Sequence, residues 1–442
     1  MNIQKATKIE LLNFKSPAMR AFHVTWYSFF LCFFGWFGIA PLMAVVREEL
    51  SLTKTQIGNT IIASVMITVL ARIVIGWVCD KVGPRKVYTW LLIGGAFPVM
   101  CIGLAQSYET FLLFRLLIGI VGASFVVTQF HTSLMFAPNC VGTANATSAG
   151  WGNLGGGVTQ MVMPLLMGGF LALGVSQFWA WRLSMVVPGA LMIVTGLVYY
   201  FGTRDTMDGS FEELRAAGKL EAGHKAKGAF LEACRDHRVW VLFVIYGACF
   251  GIELTVNNIA ALYFKDYFGM GLKSAGLVAG LFGLMNIFAR TLGGIFGDRF
   301  GIQYGLKGRI GFLAMVLFLE GIALITFSQI HVLVLAIPML IVFSLFVQMS
   351  EGATYSAVPF INKRALGAVS GIVGAGGNMG AVLAGFLFRS SELSWPNALL
   401  ILGILVTASA GLTYFIRFSE QAEAEAREEL QFRVASGQVA AA

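Results

Sequence analysis

Apolar stretches of about 20 residues follow one another along most of this 442-residue chain. Each is long enough to cross a ~30 Å hydrocarbon core as a helix. Twelve are predicted, near 22–45, 57–79, 87–106, 110–136, 142–174, 181–202, 239–266, 274–297, 309–328, 332–358, 366–388 and 396–417. Composition agrees: 12% of residues are charged, against roughly 25% in soluble chains, and mean hydropathy is +0.76. The chain reads as an all-α integral membrane protein whose solvent is the lipid bilayer. The fifth run is too long for one straight crossing, so it must tilt, kink or extend past the bilayer.

The net charge of +8 is gathered at particular loops, which sets it apart from a nucleic-acid footprint. Lys81, Arg85 and Lys86 follow the second run; Arg299, Lys307 and Arg309 follow the eighth; Lys363 and Arg364 follow the tenth. Lys5, Lys8, Lys15 and Arg20 precede the first. Positive loops stay inside, which places both termini in the cytoplasm of a multi-pass protein of the cell (inner or plasma) membrane. The expected organisation is a cytoplasmic N-terminus (1–21), six spans (22–202), a charged cytoplasmic linker (203–238), six spans (239–418) and a cytoplasmic tail (419–442). The linker reads as solvated, with a short amphipathic helix near Ser210 to Leu220, and the tail as a solvated helix. No cleavable signal is evident. The six cysteines form no CxxC pair, so neither a disulfide framework nor a zinc site is expected.

The two halves repeat each other. Arg72 lies in TVLARIVIGWVCDKVGPRK and Arg290 in NIFARTLGGIFGDRFG, 218 positions apart, as are Gly76 and Gly294, Asp80 and Asp298, and Gly83 and Gly301. A cation inside a membrane helix costs about 3 kcal/mol on insertion scales. Two at matched positions point to an anion site. The fifth run carries GWGNLGGGVTQ and the eleventh GAGGNMGAVLAG, where Asn153 aligns with Asn378, Gly152 with Gly377 and Gly155 with Gly380. Small residues four apart, Gly152 with Gly156 and Gly376 with Gly380, suit close helix packing. The asparagine amides each offer two N–H donors to anion oxygens. Internal repeats of this kind mark secondary transporters, with substrate held near the midplane.

The loop GWVCDKVGPRK resembles the motif between helices 2 and 3 of the major facilitator superfamily. That resemblance implies its fold of two six-helix halves. It gives Gly76, Asp80, Gly83, Arg85 and Lys86 a gating role, with Asp80, Arg85 and Lys86 latching the halves on the cytoplasmic side. GWGNLGGG and GAGGNMG, together with Arg72 and Arg290, resemble the nitrate/nitrite porter family of that superfamily. LLNFKSPAMRAFHVTWYSFF (Leu11 to Phe30) is similar to its plant, algal and cyanobacterial high-affinity branch. The resemblance spans essentially the whole chain. It implies that the two arginines bind the anion, that Phe125 is the enclosing aromatic of helix 4, and that Tyr246 and Phe250, one turn apart, are the pair on helix 7. Nitrate is flat and monovalent, and a planar guanidinium presents forked donors to it.

Anion uptake against a negative interior costs about 2.3 kcal/mol per 100 mV. It therefore requires entering protons or a leaving anion. Glu253 shares a helix face with Tyr246 and Phe250 and leads the proton-coupling candidates, followed by Glu351, with Glu320 and His131 weaker. Asn286 lies one turn before Arg290 and either orients it or packs. The expected function is proton-coupled uptake of nitrate, and of nitrite as well. Nitrate/nitrite antiport and a facilitator for another small anion remain alternatives. A transporter-like sensor would need an output domain, and neither the short linker nor the short tail reads as one. The chain shows no metal cluster, nucleophile elbow or phosphate loop, so neither an enzyme nor a cofactor is expected. The need for an accessory subunit, as in some plant relatives, stays open.

Overall fold

A computed structural model describes residues 5–137, 140–218, 229–362, 366–420 and 423–424. Among them the secondary structure is helical, apart from two isolated bridges, Ala6 with Phe136 and Thr206 with Gly209. Eleven segments are long and apolar enough to span a membrane. One of these, Leu272–Ser328, holds 57 residues, roughly 85 Å of helix at 1.5 Å per residue. That is far more than one crossing needs. The chain breaks at Gly305 (φ 74°), which divides the stretch and brings the spans among the described residues to the twelve expected from the sequence.

The helices that matter below are α1 (Pro17–Phe37), α2 (Lys54–Val82), α3 (Pro84–Cys101), α4 (Tyr108–Gly119), α5 (Ser124–Met135), α6 (Val141–Ala172) and α7 (Gln177–Gly202). They continue with α8 (Phe211–Ala216), α9 (His237–Phe268), α10 (Leu272–Leu284), α11 (Ala289–Ser328), α12 (Leu333–Ala357), α13 (Leu366–Arg389) and α14 (Trp395–Ala410). The long fifth span is a 32-residue helix with Pro164 inside it. The fourth and eighth spans are interrupted. A 3-10 turn at Ile120–Ala123 separates α4 from α5, and another at Met285–Ile287 separates α10 from α11. The first break follows from close packing. Gly119 meets the Ser64 carbonyl, Gly122 meets the Trp36 ring, and the Thr68 hydroxyl donates to the Gly119 carbonyl at 2.7 Å.

Contacts group the chain into two compact units. The first gathers residues within Met1–His224, Val256–Asn286 and Arg389–Ser391; the second, residues within Lys225–Thr255, Ile287–Phe388 and Glu392–Ala442. Each is built around one glycine face. In the first, a Cβ on Gly152 would fall 1.9 Å from the Phe29 ring, and one on Gly155 2.1 Å from the Phe30 carbonyl. Helix α6 therefore lies directly on α1. In the second, a Cβ on Gly377 would fall 2.4 Å from the Phe250 ring, and one on Gly380 2.2 Å from the Gly247 carbonyl. Helix α13 lies on α9 in the same way. The repeat seen in the sequence is thus a repeat of packing. Gly156 does not join the α1 contact; a Cβ on it would fall 3.0 Å from the Asn257 amide nitrogen.

The linker departs from a solvated segment. Asp205, Thr206, Phe211 and Leu214 are buried. The Asp205 carboxylate accepts from the backbone N–H groups of Arg85 (2.8 Å) and Phe211 (2.9 Å), so it serves the N-termini of α3 and α8 together. Helix α8 begins at a Ser210–Glu213 capping box. The end of the amphipathic helix expected at Lys219 and Leu220 lies outside the described residues, as does most of the tail.

Candidate functional site

In the second unit, Arg290 is the second residue of α11, just past the break at Met285–Ile287, and is 5% exposed. Its partners come from two other helices. Nη2 donates to the Tyr246 hydroxyl of α9 at 2.9 Å, and Nη1 to Glu351 Oε2 of α12 at 2.5 Å. Helices α11 and α12 approach closely enough for this because Gly352 rests on the Arg290 carbonyl and Gly293 on that of Met349. Tyr246 stacks on Phe250 with ring centroids 5.2 Å apart, and Tyr355 meets Tyr246 edge-on at 5.1 Å. The result is a guanidinium set in an aromatic wall. Glu253 is fully buried, and its carboxyl lies close to that of Glu351. Glu320 of α11 is fully buried, and neither of its carboxyl oxygens has a hydrogen-bond partner among the described residues. Asn378 is fully buried, but its amide bonds back to the Gly374 carbonyl of its own helix at 3.5 Å rather than to Arg290.

In the first unit, Arg72 of α2 is 8% exposed, and its guanidinium carbon sits 5.3 Å from the centroid of the Phe125 ring. Phe125 is the second residue of α5, after the break, and its ring lies 5.9 Å from that of Phe29. Asn153 is buried on α6, one residue past the glycine that receives Phe29. Asn286 is buried in the 3-10 turn before α11.

Other expected residues fall elsewhere. His131 is held by the Tyr199 hydroxyl (2.5 Å) and the Arg204 carbonyl (2.7 Å) on the linker side of its helix. Of the loop motif, the Asp80 side chain is outside the described residues. Arg85 lies over the Tyr200 ring, and Lys86 pairs with Glu212 of α8. Gly83 needs its positive φ of 95° and leaves room for the Asp205 carboxylate. Gly76 packs on Val126. Asp298, the counterpart of Asp80, pairs with Arg309. The break in the second repeat comes at Gly305, four residues beyond the matched Gly301.

Two buried arginines, Arg115 on α4 and Arg182 on α7, were not singled out from the sequence. Each stands inside or at the end of an apolar run without a counterpart in the other half, and that lack of symmetry hides them.

The Major Facilitator Superfamily model matches residues 25–362. The high affinity nitrate transporter 2.5 of Arabidopsis thaliana is 40% identical over 91% of this chain and 80% of its own. Nitrate transporter 2.2 of Chlamydomonas reinhardtii is 36% identical over 94% and 82%. The chain belongs to the nitrate/nitrite porter family. A cyanobacterial member, the nitrate/nitrite transporter NrtP of a Picosynechococcus strain, is 28% identical over 81% of the porter and 83% of itself. The crystal structure of a bacterial homolog of the lysosomal transporter Spinster, inward-facing and occupied, superposes with a TM-score of 0.67 at 16% identity. It covers 89% of the porter and 95% of its own chain, and it shows the shared fold. The porter is a multi-pass membrane transporter, and its superfamily is one of carriers rather than enzymes.

Proposed function

We propose that this porter carries nitrate, and nitrite as a second substrate, into the cell by proton symport, with Arg72 and Arg290 as the anion-binding cations. Its relatives' names supply the substrate. The proposal includes the division into six-helix halves at 22–202 and 239–418 and the cytoplasmic placement of both termini. Asn153, Asn378, Phe125, Tyr246 and Phe250 complete the anion's surroundings, and the loop residues gate the cytoplasmic side.

The observation that carries the coupling is the bond from Arg290 to Glu351. A carboxylate already occupies one arm of the guanidinium that the anion must use. An ionised carboxyl accepts hydrogen bonds only, so the neighbouring Glu253 and Glu351 hold a proton between them when they bond. When nitrate takes Arg290, Glu351 loses its counter-charge in a buried place, which is costly unless it is neutralised. A proton on Glu351 removes that cost, so anion and proton load together. With two protons per anion, net positive charge enters and the membrane potential drives uptake.

The test is uptake by the purified porter in liposomes with an imposed inward proton gradient and no internal anion. Accumulation is the expected result, and E351Q is expected to bind nitrate without using the gradient. Uptake that needs nitrite or nitrate loaded inside would instead establish exchange. Nitrate that neither moves nor competes would assign the site to another small anion.

A further inference from the structure

The most deeply buried of the arginines discussed above is neither of the matched pair. Arg115 has no exposed surface. Its Nη2 donates to Asn258 Oδ1 at 2.7 Å and its Nη1 to the Trp36 carbonyl at 3.3 Å; its Nε has no partner among the described residues. Both acceptors are neutral. Glu48, Glu49, Glu212 and Asp266 of this unit pair with Lys265, Arg182, Lys86 and Arg47 instead.

Arg182 shows what a structural arginine looks like in the same unit. It holds Glu49 at 2.6 Å and three backbone carbonyls, those of Gly103, Phe178 and Ala105. Arg115 has five N–H donors but, among the described residues, two neutral acceptors and no carboxylate partner. An uncompensated buried cation is costly and calls for a functional reading.

Its surroundings point to an anion. Asn257 Nδ2, an N–H donor, is buried without a partner among the described residues, and Gln160 Nε2 donates to the Asn257 carbonyl at 2.6 Å. The Asn257 amide rests against Gly156, one helical turn beyond Asn153. Two unpartnered donors, Asn257 Nδ2 and Arg115 Nε, thus stand where α9 meets α6 and α4, with Asn257 against Gly156 and its neighbour Asn258 on Arg115. On the interrupted fourth span, Arg115 precedes Phe125 by ten residues, roughly 15 Å at helical rise. It lies toward the end opposite the basic loops, which is outward in the topology proposed above.

We propose that Arg115, with Asn257 and Asn258, forms a second, outer site for a small monovalent oxyanion, occupied on its way to Arg72 when the outer half opens. This rests on the nitrate reading. A lone guanidinium between neutral amides attracts an anion without the grip of a paired site. It raises the local concentration of substrate and releases it inward.

The experiment measures external and internal KM for nitrate in liposomes holding the wild-type porter, R115Q, R115K or N258D. Asp at 258 preserves the bond to Arg115 and cancels its charge, so it separates attraction from architecture. The expected result for both R115Q and N258D is an external KM raised about fivefold or more, with an internal KM and maximal rate near wild type, as loss of a binding-only interaction predicts. R115K is expected to keep part of the low external KM. If N258D has the wild-type external KM, or if the variants lower only maximal rate and melting temperature, Arg115 is a structural tie and the outer site is overturned. Failure of the wild type to move nitrate would overturn the substrate reading instead.

Discussion

At the scale of single residues, the arginines and their partners differ in how visible they were. Arg72 and Arg290 announce themselves by their matched spacing. The Glu351–Arg290 bond does not, because it joins α11 and α12 across 61 positions. Helical periodicity ranked Glu253 first, since it shares a face with Tyr246 and Phe250; packing instead placed Glu351 on the guanidinium. Replacing Arg72 or Arg290 by Lys keeps the charge and loses the fork. At about 1.5–3 kcal/mol per charged hydrogen bond, each variant is expected to lose roughly 10- to 100-fold in kcat/KM for nitrate, measured by tracer uptake. Wild-type uptake in both Lys variants would end the guanidinium argument. Tyr246→Phe removes one such bond from Nη2. Its expected effect is a nitrate affinity about tenfold weaker with expression unchanged, read by binding to purified protein.

At the scale of elements, glycine decides where helices touch. The sequence showed Gly152, Gly155, Gly377 and Gly380 in register but not what they receive. Each meets a backbone or ring atom closer than any real Cβ tolerates, on α1 in one unit and α9 in the other. Gly380→Ala places a methyl against the Gly247 carbonyl, which a flexible side chain cannot relieve. A loss of about 1–3 kcal/mol is expected, seen as a lower melting temperature in detergent. Gly294 belongs to the matched arginine repeat, yet nothing lies within 4 Å of its Cβ position. Gly294→Ala is expected to melt as wild type does. Equal melting of the two variants would show that register alone, not contact, sets the cost. The breaks at Ile120–Ala123 and Met285–Ile287 were also invisible in the hydropathy pattern. They immediately precede Phe125 and Arg290, and they depend on how a neighbouring helix fills the gap.

At the scale of the whole molecule, the linker is part of the fold rather than a tether. Asp205 serves two helix N-termini, and Lys86 pairs with Glu212, whose carboxyl this bond holds below the usual range. Removing the Asp205 carboxylate leaves two amide donors without their acceptor. Asp205→Ala is expected to cost about 1–3 kcal/mol, measured by thermal unfolding. The Lys86–Glu212 contribution is present above the ordinary Glu range and is lost as pH falls through the lowered value, so acid loosens α8 from the loop. Topology has its own test. In a variant keeping only Cys234, an impermeant maleimide is expected to label inside-out vesicles and spare right-side-out ones. The reverse pattern would invert the positive-inside assignment. Hydropathy, loop charge and the internal repeat were enough to determine a twelve-span carrier with matched arginines, because span length and charge placement are local properties that lipid imposes on any chain. The tertiary structure alone decided that Glu351 meets Arg290, that Arg115 is buried without a carboxylate, and that Asp205 ties the linker down. Those are contacts between residues far apart in sequence, and their energies come from burial and geometry that no local pattern encodes.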